Sequence, residues 1–210
     1  MFYFSILNKN MSIPLKSECI YTSCYCEENV WHLAKNILVA NKNVSNWKCY
    51  VVFVSNSNKC VPLWKQQCSE QEGGLVFWDY HVFLMINYQD TTQVLDLDTT
   101  LPFPVTFSQY FEEAIKDDPR YSKYGRYFRV IEAEKYIFTL SSDRRHMLNN
   151  NNEWLSPPPS YPPILNKDKQ HNLSHFISME SSNEFGQVLN LAEFKIKFSS
   201  AVKQIAYGLQ

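Results

Sequence analysis

Cys26, His81 and Asp96 are the residues whose types could together do covalent chemistry. A thiol can become a nucleophile, an imidazole can take its proton, and a carboxylate can fix the imidazole tautomer and support its charge. Cys26 stands at the start of a pattern in which Val30, Leu33, Ala34, Ile37 and Leu38 recur at helical spacing. A sulfur at a helix N-terminus feels the positive end of the macrodipole and tends toward thiolate, so the chemical expectation is a nucleophile aimed inward. A small buried packing thiol fits the same position. His81 and Asp79 interrupt an otherwise apolar strand and, being two apart, share one face. Asp96 and Asp98 alternate with Leu95 and Leu97 in the next strand. A lone carboxylate in such a strand is costly to bury and demands a partner. A tight reversal near Tyr88-Gln89 sets His81 opposite Asp96, and a longer loop favours Asp98.

The elements that must position these groups follow from the pattern. Thr22 or Ser23 is expected to cap a helix from about Glu27 to Ala40. Cys49–Val54 and Cys60–Lys65 read as strands joined into a hairpin by Ser55–Lys59, with Pro62 favouring an edge or a bulge. Leu75–Ile86 reads as the longest strand, and Val94–Asp98 as its partner. Thr106 with Gln109 resembles a capping box for a helix carrying Phe107, Tyr110, Phe111, Ala114 and Ile115. A strand over Tyr127–Ile131 and a short helix over Glu132–Leu140 come next. Pro157 to Pro163 is an extended strap over the surface, and Asn190 with Glu193 caps a last helix that packs Leu191, Phe194 and Phe198 inward. The fold class expected is α/β (α+β), with helices on both sides of a mainly antiparallel sheet. Residues 1–18 read as a loosely ordered leader and 19–205 as one catalytic domain.

Composition narrows the function. A net charge of −1 over 210 residues leaves no electrostatic footprint for nucleic acid or an anionic membrane. No run is long enough to span a bilayer and no signal peptide is recognisable, so reduced cytoplasmic thiols are expected for the six cysteines. Only 5 glycines occur, and no phosphate-binding loop is present. Cys24-x-Cys26 is too tight for a zinc knuckle and lacks a second pair, so neither a metal nor another cofactor is expected.

Five stretches resemble the protein N-terminal glutamine amidohydrolase family: Ser23 to Trp31, Pro62 to Gln67, Trp78-Asp79-Tyr80-His81-Val82, Asp96 to Thr99 and Leu101 to Pro104. The likeness continues through Phe128 to Ile131, Ser142-Asp143-Arg144 with His146-Met147, the proline segment, and Asn172-Leu173 with Phe176 to Met179, covering roughly 19 to 200. It implies Cys26 as nucleophile, His81 and Asp96 as its partners, and a transglutaminase- or papain-like core. It also implies conversion of an N-terminal glutamine to glutamate with release of ammonia through a thioester, serving an N-terminal degradation signal. The substrates would be proteins or peptides with a free N-terminal glutamine, and the enzyme a cytoplasmic monomer with a nuclear pool allowed. Glu27, Glu28 or Asp79 is expected to receive the α-amino group, with Tyr25, Trp64, Trp78 and Tyr80 around the substrate. The two glutamates equally suit a helix's first turn, where they favour the dipole and raise the thiol pKa. Two other readings use the same residues: a non-catalytic reader of N-terminal glutamine, and an enzyme of transglutaminase or cysteine-protease type.

Overall fold

A computed structural model describes residues 11–181 and 184–199. Its frame is a six-stranded sheet in the order β6-β5-β4-β1-β7-β8, with every neighbouring pair antiparallel. The strands are β1 (Trp47–Ser55), β4 (Tyr80–Tyr88), β5 (Thr91–Leu95), β6 (Val105–Thr106), β7 (Tyr127–Glu132) and β8 (Gln187–Asn190). A separate pair, β2 (Val61–Leu63) with β3 (Val76–Trp78), sits outside it. The helices are α1 (Cys26–Ala40), α2 (Phe107–Tyr110, continued by a wider turn over Phe111–Ile115), α3 (Ala133–Thr139), α4 (Leu173–Ile177) and α5 (Leu191–Phe198).

The central strands are apolar on both faces because helices cover both. Val51, Phe53, Val82 and Leu84 pack with Leu33 and Ile37 of α1, Tyr136 of α3 and Phe176 of α4. The alternate residues Val52, Val54, Phe83 and Met85 pack on the other side with Phe107 and Tyr110 of α2 and Phe194 and Phe198 of α5. Period-two alternation thus assigns each strand residue to one of two cores. The expected arrangement of helices about an antiparallel sheet is present.

Local details depart from the expectations at identifiable points. Neither Thr22 nor Ser23 caps α1: Tyr25 is the N-cap and makes no side-chain cap. The Asn29 amide grips the Thr22 backbone instead, accepting from its N–H and donating to its carbonyl at 2.8 Å each. β1 does not form a hairpin with β2; it pairs with β4 and β7, and β2 pairs with β3. The long strand breaks at Asp79, whose carboxylate accepts from the Tyr80 N–H at 2.9 Å and so takes a donor that could have continued the ladder. The α5 capping box forms between Asn190 and Glu193 as expected, whereas at α2 only half of the expected box is present: Thr106 accepts from the Gln109 N–H, and the Gln109 side chain donates to Glu113 instead. Residues 11–18 make contacts with the domain: Ser12 and Asn41 exchange two hydrogen bonds, and Lys16 Nζ donates to the Thr99 carbonyl at 2.7 Å. The rest of the leader expectation, and the domain's end at 205, lie outside the described residues. Among the described residues no helix is long and apolar enough to cross a membrane.

Candidate active site

The start of α1 meets the start of β4. Cys26, the first residue of α1, is 8% exposed, and its sulfur lies 3.9 Å from Glu27 Oε2. The Val82 amide interacts with the sulfur in a way that favours thiolate, which places Cys26 beside the residue following His81. His81 is fully buried, with the Trp78 ring stacked on it at 5.3 Å. Its Nε2 is 3.0 Å from Asp96 Oδ1, while its Nδ1 has no hydrogen-bond partner. Asp96 in turn accepts from the Asp98 N–H at 2.9 Å and from the Tyr110 hydroxyl at 2.7 Å.

The contact between His81 and Asp96 is reached by a different route from simple cross-strand pairing. Gln89 and Asp90, both at positive φ, form the two-residue reversal, and Leu84 faces Leu95. Continuing that ladder would place His81 opposite Asp98. The chain leaves the sheet after Leu95, and Asp96 turns in to meet the imidazole. Asp98 stays close, its Oδ1 accepting from the Tyr21 hydroxyl at 2.6 Å.

Burial and charge set the protonation of the group. Burial, then the charges of Glu27 and Asp98, push the Cys26 thiol well above its ordinary pKa, so the thiolate expected from helix position alone is not the resting form. Burial pulls the His81 pKa down, but the Asp96 charge and hydrogen bond outweigh it and the net shift is upward. Burial likewise opposes ionisation of Asp96, and the His81, Asp98 and Tyr110 interactions overcome it, leaving that carboxyl below its ordinary range. The free site therefore holds a protonated Cys26 thiol and, on His81, an imidazole that Asp96 makes more basic. His81, Asp96 and Asp98 could present ligand atoms within 4.8 Å of one another to a cation. Asp96 already accepts N–H and O–H donors on both oxygens, and Asp98 accepts one, so the set reads as a hydrogen-bond network rather than an open metal cage.

The next two residues of α1 are buried acids with separate partners. Glu28 is clamped by Arg144, Oε1 to Nε at 2.8 Å and Oε2 to Nη2 at 2.7 Å. The same guanidinium donates to the carbonyls of Pro159, Tyr161 and Pro162, so it fastens the proline strap onto α1. Arg144→Ala leaves a buried carboxylate unpaired, and the expected loss is about 3–5 kcal/mol, read as a lowered urea midpoint; an unchanged midpoint would refute the clamp. Glu27 accepts from the Tyr80 hydroxyl at 3.0 Å through Oε2. Its Oε1 stands 3.4 Å from His146 Nε2 without a hydrogen bond. His146 stacks on His171 at 5.9 Å, and His171 Nδ1 lies 3.2 Å from Asp143.

A cavity of about 430 Å³ opens onto Cys26. Of the expected wall residues, Trp78, Asp79 and Tyr80 line it. Tyr25 and Trp64 do not, and Glu27, His81 and Asp96 lie behind its lining rather than in it. Tyr25 is fully buried and donates to the Ser156 carbonyl, and Trp64 packs against Tyr121, Lys116 and Arg126. The sequence reading gave no role to His146, Met147, His171 or Ile177, which also line the cavity. Their signal was a pair of histidines in a loop-rich stretch, which becomes meaningful only once that stretch folds back over α1.

Fold and site together describe an α/β protein with a mainly antiparallel sheet, a thiol at a helix start and a buried imidazole paired with a carboxylate, residue types that can support hydrolysis. The sequence profile of the family described as N-terminal glutamine amidase matches residues 21–198, and the chain belongs to that family. The protein N-terminal glutamine amidohydrolase of Drosophila melanogaster is 45% identical over 187 residues, 88% of this chain and 91% of the relative. That of Drosophila grimshawi is 42% identical over 202 residues, 95% of this chain and 98% of the relative. These relatives carry the name of a hydrolase acting on an amide.

Proposed function

We propose that this protein hydrolyses the side-chain amide of an N-terminal glutamine on a protein or peptide, giving N-terminal glutamate and ammonia. The observation that carries the reading is the buried His81, which meets Asp96 through Nε2, keeps Nδ1 free of a hydrogen bond and precedes Val82, whose amide contacts the Cys26 sulfur. In this mechanism Nδ1 takes the Cys26 proton as the sulfur attacks the amide carbon. The tetrahedral oxyanion forms at the N-terminus of α1, where the Cys26 N–H has no intrahelical acceptor. His81 then returns its proton to the departing ammonia, a thioester remains, and a water activated by His81 releases the carboxylate. Tyr110 and the Asp98 N–H hold Asp96 in place throughout. The arrangement of helix-borne cysteine, strand histidine and following acid is that of a transglutaminase- or papain-like core. The reading extends to a cytoplasmic or nuclear monomer that supplies N-terminal glutamate to a degradation signal.

Selectivity for the terminal residue requires a site for the α-ammonium. Glu28 is engaged by Arg144 and Asp79 is exposed. Glu27 is buried, and its carboxylate lies among Cys26, Tyr80 and His146, which all line the cavity, with Oε1 lacking a hydrogen-bond donor. It is the acid that fits. The test is mass spectrometry with ammonia detection on a Gln-starting peptide, its N-acetylated form and an internal-Gln peptide. Conversion of the free terminal form alone is expected; conversion of all three, or of none, overturns the reading. Glu27→Gln keeps an acceptor for Tyr80 but removes the charge. Loss of a charge-assisted bond is expected to raise KM roughly 10- to 100-fold, with a smaller change in kcat. An unchanged KM would remove Glu27 from ammonium recognition.

A further inference from the structure

The cavity over Cys26 has a neighbour. Lys59, Ser174 and Ile177 also line a second cavity of about 510 Å³, whose remaining walls include Ser57, Tyr127, Met179 and, at the end of its lining furthest from Lys59 in sequence, the acid Glu180. The two spaces therefore adjoin, meeting at a saddle between the loop after β1 and helix α4. Both banks of the saddle are fixed. The Asn56 side chain accepts from the N–H groups of Asn58 and Cys60 and donates to the Cys60 carbonyl, which holds Lys59 at the loop tip. On the other side Leu173 and Phe176 are buried in the core, so Ser174 and Ile177 are presented by an anchored turn. Lys59 is exposed and takes part in none of the ion pairs among the described residues.

A substrate whose first residue fills the cavity over Cys26 must leave it as a continuing polypeptide. We propose that the residues following the terminal glutamine cross the saddle between Lys59 and α4 and lie in the second cavity, with Lys59 favouring an acidic side chain at the second or third substrate position. This rests on the amidohydrolase reading above. Tyr127 and Met179 give the next residues an apolar floor, and the occupant is thus an extended peptide with an acid close behind its glutamine. Binding energy gained there, away from the reacting amide, is available to hold the short first residue in register.

The test compares Gln-Gly with hexapeptides beginning Gln-Asp-Asp, Gln-Gly-Gly and Gln-Lys-Lys, as kcat/KM in the wild type and as Kd for the Cys26→Ala protein by calorimetry. The hexapeptide-to-dipeptide ratio is expected to be about tenfold, and the acidic sequence to exceed the basic one about fivefold, the size of an exposed ion pair. Lys59→Glu should invert the charge preference. Ser57→Trp, at an exposed position in the second cavity alone, should bring the length ratio toward one. Each ratio is taken within one protein preparation, so a misfolded fraction cancels. A length ratio near one in both measurements, or one that Ser57→Trp leaves intact, overturns the groove. Length-dependent binding to Cys26→Ala without ammonia release by the wild type would keep the groove and overturn the activity instead.

Discussion

Cys26→Ala is expected to reduce ammonia release by at least about 10⁴-fold in kcat while leaving the fold and peptide affinity nearly intact. The residue contributes one sulfur at the mouth of a cavity, and the helix it begins is anchored by Val30, Leu33 and Ile37 rather than by the thiol. What disappears is the atom that makes the thioester, and no other group replaces it. Cys24 lines the same cavity, but it is exposed and at φ 69°, upstream of the helix, and has no imidazole assigned to it. Cys24→Ala retains a Cβ in the same left-handed conformation, so it should fold and turn over at close to the wild-type rate. Because burial and Glu27 hold the Cys26 thiol protonated, attack requires His81 to take the proton as the bond forms. Full activity in Cys26→Ala would remove covalent chemistry from the mechanism; loss in Cys24→Ala alone would transfer the nucleophile's role to that residue.

How much of this could be read from the chain depends on how local the physics was. The α1 stripe, the two-faced apolar strands and the N-cap residues of α2 and α5 were legible because each is set by residues within a few positions. The meeting of His81 with Asp96 was legible too, since a buried imidazole and a buried acid in adjacent strands each require a partner. Its register was not. The turn at Gln89-Asp90 shifts the ladder toward Asp98, and only the departure of the chain after Leu95 restores Asp96. The missed hairpin partner of β1 has a similar cause: sequence adjacency favoured β2, whereas β4 and β7 offer longer apolar faces on both sides. The thiol's raised pKa was visible only as a competition, because a helix dipole is weak against burial and an adjacent buried carboxylate. The wall built from His146 and His171 was least legible, since it exists only after the 141–177 stretch is tied to α1 through Arg144 and Glu28.

Asp96→Asn is expected to lower kcat by roughly 10³- to 10⁴-fold and to move the acid limb of kcat/KM downward in pH. The amide is nearly isosteric, but Asp96 Oδ1 accepts from both His81 and the Asp98 N–H while Oδ2 accepts from Tyr110, so one amide oxygen serves either the Asp98 N–H or the Tyr110 hydroxyl and not both. If its NH₂ faces His81, Nε2 must become the acceptor and Nδ1 carries the proton, which is the wrong tautomer for taking one from Cys26. The pH effect follows from the signs of the shifts. His81 must be neutral to act as base, and its pKa is raised above the ordinary 6.5 by the Asp96 charge, so the wild-type limb lies above that pH. Without the carboxylate, burial dominates and the limb falls below it. Stability runs the other way. The raised His81 pKa contributes stability that is complete below 6.5 and is lost as pH rises through the folded value; the depressed Asp96 pKa contributes stability present above 3.8 and lost as pH falls through its folded value. The ion pair therefore stabilises the fold most between those limits, where His81 is protonated and cannot act as the base. Melting temperatures and kcat/KM measured from pH 4 to 9 on both proteins should diverge accordingly in the wild type and lose that opposition in Asp96→Asn. An acid limb at the same pH in both would show that Asp96 does not set the charge of His81.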